Sequence, residues 1–236
     1  MTLTSQVTFS ISIIIPTLNE EKLLDGLLTS LKGFQGIEVI VADGGSNDRT
    51  LDIARSFQVQ IVQSLAGRGQ QLNAGARVAK NSTLLFLHCD TKLPEGFFAQ
   101  IHSILNKPGT VAGAFRLRIK AQGFKFRLVE WGANIRSSLV GLPYGDQAIF
   151  MKKQTFEMIN GYPGQPFLEE VGLIRKLKRI GSITIAAGRV TTSPRRWEQL
   201  GVFRTTMINQ AILLGYACGM DTAKLAKFYR SRMKNS

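Results

Sequence analysis

The sequence predicts an α/β protein with a mostly parallel central sheet that is flanked by helices. Three observations lead to this prediction. Short runs of apolar, often β-branched residues alternate with segments whose leucines recur at the spacing of one helix face. The apolar runs are continuous, as expected for strands that are buried on both faces of a parallel sheet. Turns that contain glycine or proline separate the segments.

In the first half of the chain, a strand, a loop and a helix follow one another repeatedly. Pro16 and a polar turn follow the first apolar run, and a Gly-Gly turn follows the second. Ser46 or Asn47 is expected to cap the helix that comes after this second turn. The other predicted elements are strands at 11–15, 37–42, 58–63 and 82–87, and helices at 23–31 and about 69–79.

Beyond about residue 110 the pattern becomes mixed. GAFRLRI alternates like a half-exposed strand, and YGDQAIFMKK predicts a turn followed by a strand. The segment FLEEVGLIRKLKRIG has the apolar spacing of an amphipathic helix. Further helices are predicted at 124–138 and at 197–232, the second region being two helices broken near Gly219.

Length and composition indicate one globular domain over residues 1–236. Hydrophobic residues make up 44% of the chain and charged residues 19%, which is not the composition of a disordered protein. Cys89 and Cys218 show no metal-binding spacing, and no secretory signal precedes them, so we expect reduced thiols in the cytoplasm. The longest apolar stretch, 207–220, is shorter than the roughly 20 residues of a membrane-spanning helix.

The formal net charge of +14 favours partners that carry phosphate, which include nucleotides, nucleic acids and anionic membranes. The basic residues are scattered and form no run of five lysines and arginines. Nucleic acid is therefore not the expected partner.

Polar side chains follow several predicted strands where those strands end. Asp43 follows one apolar run, His88, Cys89 and Asp90 follow another, and Arg68 opens a helix. The carboxyl ends of parallel strands share one edge of the sheet, so these loops are expected to meet there. Carboxylates, helix N-terminal amides and a guanidinium together indicate a diphosphate held through Mg²⁺. Each aspartate taken alone is equally compatible with a turn or a helix cap.

These segments resemble the family 2 glycosyltransferases of the GT-A fold, which use nucleotide-diphosphate sugars. The resemblance is nearly full length. It is carried by IIIPTLNEE, VIVADGGSNDRT, GRGQQLNAG, LLFLHCDT and the block from YGDQ to FLEEVGLIRKLKRIG. L-H-x-D-T, G-L-P-Y-G-D-Q and S-P-R-R-W-E are similar, more narrowly, to a subgroup associated with arsenosugar biosynthesis and carotenoid-acid (diaponeurosporenoate-type) glycosylation.

The resemblance implies a role for each matched residue. Asp43 would accept a hydrogen bond from the uracil ring, Arg68 would lie near the pyrophosphate, and Asp90 would bind the bridging Mg²⁺ or Mn²⁺. Glu170 would act as catalytic base, and Glu169 would orient the site or the acceptor. The other residues implied for the donor sugar, nucleotide or acceptor pocket are Pro16, Thr17, Asn19, Glu20, His88, Asp146, Gln147, Arg195 and Arg196.

The sequence departs from the family pattern at two of these positions. His88 stands where the first aspartate of the D-x-D motif is usual, and a neutral imidazole supplies no negative charge to a metal ion. Asp90 is then the one expected protein ligand of the metal. Glu170 stands where many relatives carry aspartate, so its carboxylate reaches further by one methylene.

The reaction implied by the resemblance is transfer of a sugar, with inversion, from a UDP-sugar to an unidentified hydroxyl or carboxyl acceptor, either a small molecule or a lipid. Residues 9–110 would bind the donor, 111–195 would form the acceptor side, and 196–236 would add C-terminal helices. The sequence leaves two alternatives open. One is a nucleotidyltransferase, although PTLNEE lacks the Gly-rich basic loop of that class; the other is a non-catalytic basic module that binds membranes or nucleic acid.

The acidic and basic site residues also have structural interpretations. Glu169 and Glu170 could simply begin a helix, where acids are favoured by the helix dipole. Asp146 and Gln147 could be turn residues, and Arg195 and Arg196 an exposed basic rim.

The C-terminal helices present an apolar stripe and a basic tail. The stripe favours packing against the core or in a homodimer, whereas the tail suits an anionic membrane surface and a peripheral location on it. The stripe consists of Leu200, Phe203, Met207, Ala211, Leu214 and Cys218, and the tail of Lys224, Lys227, Arg230, Arg232 and Lys234.

Overall fold

The computed structural model describes residues 9–234. The strands in this part of the chain are β1 (Ile11–Thr17), β2 (Ile37–Asp43), β3 (Gln60–Gln63), β4 (Thr83–Phe86), β5 (Thr91–Lys92), β6 (Thr110–Ile119), β7 (Phe150–Lys152) and β8 (Ser182–Thr192). The helices are α1 (Glu21–Leu31), α2 (Thr50–Ser56), α3 (Arg68–Val78), α4 (Phe97–Leu105), α5 (Phe124–Leu139), α6 (Lys153–Met158), α7 (Glu169–Leu177), α8 (Arg195–Leu200), α9 (Val202–Ala217) and α10 (Thr222–Lys234). A short 3-10 turn spans Gly145–Gln147.

The strands form one sheet in the order β3-β2-β1-β4-β7-β6-β8-β5. In the first half, β1 pairs in parallel with β2 and β4, and β2 pairs in parallel with β3. In the second half, β7 is antiparallel to both β4 and β6, β8 is parallel to β6, and β5 is antiparallel to β8. The prediction of an α/β fold is confirmed; the parallel part of the sheet is concentrated in the first half.

Strand β1 explains why its apolar run is continuous. Ile11, Ile13 and Ile15 enter one buried cluster, while Ile14 enters the cluster on the other face of the sheet. All four side chains are fully buried, and each contributes about 1.5–3 kcal/mol by leaving water. On the Ile14 face, α3 lies so close to β1 that a Cβ on Gly75 would collide with the Ile14 side chain. Strand and helix are thus fixed to each other near the loops that follow them.

Several elements were not expected from the sequence. Strand β8 and helices α4 and α6 were left unassigned by the apolar pattern, yet β8 runs beside β6 along most of its length. The expected helix cap at Ser46 or Asn47 is wrong, because α2 begins at Thr50 and Arg49 occupies the cap position. Ser46 instead bonds to residues of neighbouring loops.

The C-terminal region forms three helices, not the two that were predicted: α9 and α10 separate near Gly219, as predicted, where φ is +81°, and the short helix α8 precedes them. Their packing differs from the prediction. Thr205, Ile208 and Ile212 are buried on α9, whereas Phe203, Met207 and Leu214 are exposed, so the predicted stripe does not pack into the core. The side chain of Leu200 lies outside the described residues. Among the helices that the structure describes, none is long and apolar enough to span a bilayer.

Candidate active site

The carboxyl ends of the first-half strands place the predicted loops together. Thr17 is the last residue of β1 and lies in register with Asp43, the last residue of β2. Strand β4 ends at Phe86 on the other side of β1 and leads directly to His88 and Asp90. The loops after these three strands therefore meet at one edge of the sheet, as predicted.

Asp43 is the best-bonded carboxylate in this region. It is fully buried, and its oxygens accept hydrogen bonds from the Thr17 hydroxyl at 3.0 Å, from the Gly45 amide at 2.8 Å and from the Ser46 amide at 2.9 Å. The Ser46 hydroxyl donates as well. Burial acts to raise the pKa of Asp43, but these hydrogen bonds outweigh it and lower the pKa. Asp43 is thus a fixed anion that shapes the loop after β2.

The loop that follows β1 is bonded to the loop that follows β2. The Asn19 amide donates to the Ser46 hydroxyl at 2.9 Å, and the Asn47 amide donates back to the Asn19 side-chain oxygen at 2.9 Å. Asn19 has a φ of +56°, a conformation that asparagine tolerates better than most residues. The Glu20 amide donates to the Thr50 hydroxyl at 2.8 Å. The two loops form one wall of the candidate site.

Gln71 joins the two strands beneath this wall and was not singled out by the sequence. Its side-chain nitrogen donates to the carbonyl of Thr17 at 2.6 Å and to the carbonyl of Ala42 at 3.0 Å. The residue is buried on α3. The sequence did offer a signal for this role. Gln71 lies in the segment GRGQQLNAG, and a glutamine on the inner face of a helix needs hydrogen-bond partners for its amide.

The acidic pair lies at the first turn of α7. Glu169 and Glu170 are almost completely buried, and both face the guanidinium of Arg68 at the start of α3. Arg68 Nη1 lies 3.1 Å from Glu170 Oε1 and 3.6 Å from Glu169 Oε1. Burial raises the pKa of Glu169 to about 7, with the charge of Glu170 adding to the rise and Arg68 opposing it. The pair and the arginine come from residues about 100 positions apart in sequence.

Gly145 lies between His88 and Glu170. A Cβ at this glycine would be 2.6 Å from Glu170 Oε1 and 2.8 Å from His88 Nε2. A side chain would therefore displace one of the two polar groups. Because Gly145 has no side chain, the loop after β4, the 3-10 turn and the start of α7 can approach one another closely.

Asp146 and Gln147 occupy different environments. Asp146 is partly exposed and close enough to Arg68 to raise the pKa of that guanidinium together with Glu170 and Glu169. Gln147 is fully buried, and its side-chain nitrogen donates to the Phe115 carbonyl at 2.9 Å and to the Ser137 hydroxyl at 3.1 Å. Asp146 faces the site, whereas Gln147 anchors the turn.

Tyr144 is a further polar group that the sequence did not single out. Its hydroxyl is buried and has no hydrogen-bond partner among the described residues. Burial raises the pKa of this phenol, and the nearby charges of Asp146 and Glu170 add to the rise while Arg136 opposes it. The Arg136 guanidinium lies 3.6 Å from the ring centroid. This hydroxyl is therefore available, beside two carboxylates, for a group that enters the site.

Asp90, Glu20 and Arg195 form the other side of the site. Arg195 Nη2 lies 3.9 Å from Glu20 Oε2. Burial raises the pKa of Glu20; Arg195 opposes this effect, and the charge of Asp90 adds to it. Pro16 lies beside Cys89, whose thiol is 3.8 Å from the Pro16 carbonyl. Pro16, Glu20, Asp90 and Arg195 are therefore neighbours, while the side chain of Arg196 lies outside the described residues.

A divalent cation needs several oxygen or nitrogen ligands around it. Among the described residues there is no group of three or more histidine, cysteine, aspartate or glutamate side chains arranged to hold a metal ion. The charge of Asp90 acts on Glu20, so two carboxylates, whose oxygens Mg²⁺ and Mn²⁺ accept as ligands, lie on this side of the site. The arrangement fits a cation that takes its remaining ligands from a bound diphosphate.

Three strained residues flank the site. Asn19, Ala148 and Leu168 all have positive φ values without being glycine, at +56°, +48° and +58°. Ala148 directly follows the 3-10 turn, and Leu168 directly precedes Glu169. Such conformations cost on the order of 1–2 kcal/mol each and tend to occur where the fold holds functional groups in place.

A cavity of about 900 Å³ opens at the opposite edge of the sheet, where it is lined by residues 36–39 and 56–60 among others. It contains none of the predicted site residues. Because ligands of open parallel sheets bind at the carboxyl ends of the strands, the size of this cavity does not make it the candidate active site.

The architecture defines the GT-A class: a twisted α/β sheet whose first half is parallel, with acidic loops at its carboxyl edge. Residues 12–163 match Glycosyl transferase family 2, and the chain belongs to this family. The predicted family and fold are thereby confirmed.

Curated relatives match part of the chain. A 4,4'-diaponeurosporenoate glycosyltransferase of Staphylococcus haemolyticus is 36% identical over 97 residues, which are 37% of this chain and 26% of that protein. A PGL/p-HBAD biosynthesis glycosyltransferase of Mycobacterium bovis is 38% identical over 93 residues, 36% of each chain. The matches thus span about a quarter to a third of these relatives. The likeness to carotenoid-acid enzymes agrees with the first of them; the arsenosugar association stays a prediction.

Solved structures share the fold. The mannosyltransferase PcManGT of Pyrobaculum calidifontis, in complex with GDP-Man and Mn²⁺, has a TM-score of 0.69 at 18% identity and covers 88% of this chain and 63% of its own. Glucosyl-3-phosphoglycerate synthase of Mycobacterium tuberculosis, in complex with Mn²⁺, UDP and glucosyl-3-phosphoglycerate, has a TM-score of 0.61 at 21% identity and covers 90% of this chain and 81% of its own. At these identities the likeness establishes the fold alone.

Proposed function

We propose that the protein transfers a sugar, with inversion, from a nucleotide-diphosphate sugar to a hydroxyl or carboxyl group. The donor is expected to be a UDP-sugar. One observation carries the proposal: the buried Glu169–Glu170 pair meets Arg68 on one side and Gly145 and His88 on the other. A buried acidic pair held by an arginine at the carboxyl edge of the sheet suits base catalysis better than it suits passive binding.

The donor nucleotide would lie against the wall formed by the loops after β1 and β2. Pro16, Thr17, Asn19 and Glu20 line this wall, and Asp43 lies beneath it. Because the oxygens of Asp43 already accept bonds within the chain, a hydrogen bond from a uracil ring would require the Ser46 hydroxyl to turn away. Asp43 would then exchange one internal donor for one on the base, at little net cost.

The diphosphate would lie between Asp90 and the arginines. Asp90, with Glu20 beside it, would hold Mg²⁺ or Mn²⁺, which when bound would neutralise charge on the phosphates. Arg195 lies at this side of the site, and Arg196 follows it in sequence. The half-exposed guanidinium of Arg68 has room to contact phosphate oxygens while it remains near the acidic pair. These cations would stabilise the nucleoside diphosphate as it leaves.

Glu170 would accept the proton of the attacking group. In this step the acceptor oxygen forms a bond to the anomeric carbon, the bond from that carbon to the diphosphate oxygen breaks, and the acceptor proton moves to a Glu170 oxygen. A single direct displacement inverts the anomeric centre. Glu169, Asp146, His88 and the Tyr144 hydroxyl would orient the acceptor or the sugar, and Gln147 would hold the turn that carries Asp146.

The proposal is tested by measuring hydrolysis of a panel of UDP-sugars, since slow transfer to water reports the donor without knowledge of the acceptor. The Glu170→Gln variant is expected to bind UDP like the wild type and to lose at least about 100-fold in rate, the scale of general base catalysis. Glu157→Gln is the matched control, because Glu157 is exposed on α6 and only distantly paired with Lys153.

Three results would contradict the proposal. Retained turnover in Glu170→Gln would exclude Glu170 as base. Binding of UDP with no turnover of any sugar nucleotide by the wild type would favour the non-catalytic alternative, and release of pyrophosphate from a nucleoside triphosphate would favour a nucleotidyltransferase.

A further inference from the structure

Helix α5 is apolar on two opposite faces. On one face Phe126 and Ala133 are buried in a cluster that also contains Trp197. On the other face Phe124 is 81% exposed, Leu128 55%, Trp131 64% and Leu139 81%. At 3.6 residues per turn, these four outward residues fall on one narrow stripe along the whole helix. The core needs only the first face, so the second has no partner among the described residues of this chain.

The stripe is large for a surface that only meets water. It contains two aromatic rings, and Val140, which directly follows the helix, extends it with 55% exposure. Helix α9 packs beside α5, and its Phe203 is 79% exposed. Single exposed apolar residues are ordinary, but a contiguous exposed strip of this kind usually marks an interaction surface.

Basic residues surround the stripe. Lys125 is exposed on one side of the stripe, and Arg204 is exposed on the adjacent α9. Arg127 lies on the other side of the stripe, where its part-buried guanidinium bonds to Glu130 and to the Ile119 and Ala121 carbonyls. The segments 120–140 and 195–236, which contain these helices, carry twelve lysines and arginines and three aspartates and glutamates. These segments therefore hold most of the excess positive charge of the chain.

The apolar stripe and the basic residues beside it favour one kind of partner for this surface. An apolar stripe with basic flanks and a tryptophan is the pattern of a helix that lies in the interface of an anionic bilayer, with its cations among the headgroups. A second copy of the chain is a poorer occupant, because its own basic flanks would face those of the first. We infer that α5, with the adjacent end of α9, docks the protein on an anionic membrane surface.

The docking face is connected to the candidate active site. The Ser137 hydroxyl on α5 accepts a hydrogen bond from Gln147, and the Arg136 guanidinium stacks on Tyr144, which carries the unpartnered hydroxyl. The loop from Val140 to Tyr144 thus leads from the end of the stripe into the acceptor side. If the proposed transfer is correct, docking places that side next to the lipid surface, which favours a membrane-resident acceptor.

Binding is tested with vesicles of phosphatidylcholine alone and of phosphatidylcholine mixed with phosphatidylglycerol, by cosedimentation and by fluorescence. The protein contains two tryptophans. Trp131 is exposed on the stripe and Trp197 is buried, so the Trp197→Phe variant reports on the stripe alone. We expect its emission to move to shorter wavelength and to be quenched by brominated acyl chains with anionic vesicles, and both effects to weaken at high salt.

The double variant Leu128→Gln/Trp131→Gln is expected to lose at least about tenfold in vesicle binding, because two side chains no longer enter the acyl region. The control is Met158→Gln, which removes a side chain with 65% exposure from α6 and should bind like the wild type. Hydrolysis of UDP-sugars in the absence of vesicles should be equal in all three proteins, which separates this inference from the proposed catalysis.

Three outcomes would overturn the inference. One is equal binding of the double variant and the Met158→Gln control. Another is equal binding to neutral and anionic vesicles. The last is a wild-type dimer in sedimentation equilibrium that the double variant abolishes, which would assign the stripe to a second copy of the chain.

Discussion

At the scale of single residues, the acidic pair and its arginine hold the chemical character of the site. Glu169 and Glu170 are buried side by side, and the positive charge of Arg68 offsets only part of their mutual repulsion. Burial raises the pKa of Glu169 to about 7, and the charge of Glu170 adds to the rise, so Glu169 retains a proton at pH values where ordinary glutamates have lost theirs.

This rise predicts a particular dependence of stability on pH. The pKa of Glu169 is raised from 4.5 to about 7 in the folded state, so the folded chain holds a proton there that the unfolded chain releases. The contribution of Glu169 to stability is fully present below about pH 4.5 and is lost as the pH rises to about 7. The variant Glu169→Gln carries no such proton and should lack this decline.

Urea unfolding at pH 5 and pH 8 measures the effect. The wild type should lose on the order of 1–3 kcal/mol more than Glu169→Gln between these two pH values. Glu157→Gln, at an exposed position, should behave like the wild type. A Glu169→Gln variant with the same pH dependence as the wild type would show that Glu169 titrates normally.

At the scale of elements, the site depends on contacts that join the ends of strands and helices. Gln71 bonds α3 to the carbonyls at the ends of β1 and β2, and Asn73, two residues later, holds the loop that leads toward α7. Its side chain accepts from the Tyr162 amide at 2.9 Å and donates to the Tyr162 carbonyl at 3.0 Å. Helix α3 thereby positions both the loops after β1 and β2 and the acidic pair.

The variant Gln71→Leu tests this role of α3. It keeps the side chain similar in size but leaves the Thr17 and Ala42 carbonyls without their side-chain donor, and we expect a loss of about 1–3 kcal/mol in the free energy of unfolding. Gln70→Leu is the neighbouring control, because residue 70 is exposed. The free energies of unfolding are measured by denaturant titration. Equal values for the two variants would show that the Gln71 hydrogen bonds do not stabilise the site.

At the scale of the whole molecule, the site combines groups from distant parts of the chain. Asp90 follows β4, Arg195 begins α8, and Glu170 lies in the first turn of α7, yet all three face the same edge of the sheet. The structure brings two acidic sets to this edge, one at Asp90 and Glu20 and the other at the start of α7. A bound diphosphate would lie between them and share a cation with the first.

Isothermal calorimetry with UDP tests this arrangement. Mn²⁺ should tighten UDP binding at least about tenfold, equivalent to 1.4 kcal/mol, and Asp90→Ala should abolish the gain while leaving the weak metal-free binding intact. Asp52→Asn, which changes an exposed aspartate on α2, should retain the full gain. A metal effect that survives in Asp90→Ala would place the cation elsewhere.

Much of the fold could be predicted because it follows from local chemistry. Continuous β-branched runs are stable only where both faces of a strand are covered, and this identified β1, β2 and β4 with nearly correct ends. The break near Gly219 and the helix after Gly123 were also legible from the sequence. Strand β8 was not, because Gly188 and Arg189 interrupt its apolar residues and no local pattern specifies its pairing with β6.

The sequence by itself determined the α/β fold class, the order of its elements in the first half and the acids that follow its strands, because these depend on side-chain polarity and on short-range geometry; the family followed from the resemblance of its motifs. Only the tertiary structure decided which groups meet. It brought Arg68 to Glu170 and Gly145 to His88, saturated Asp43 with internal donors, and turned an apolar stripe of α5 outward. Contacts between residues far apart in sequence depend on how sheet and helices pack together, and no spacing along the chain encodes that packing directly.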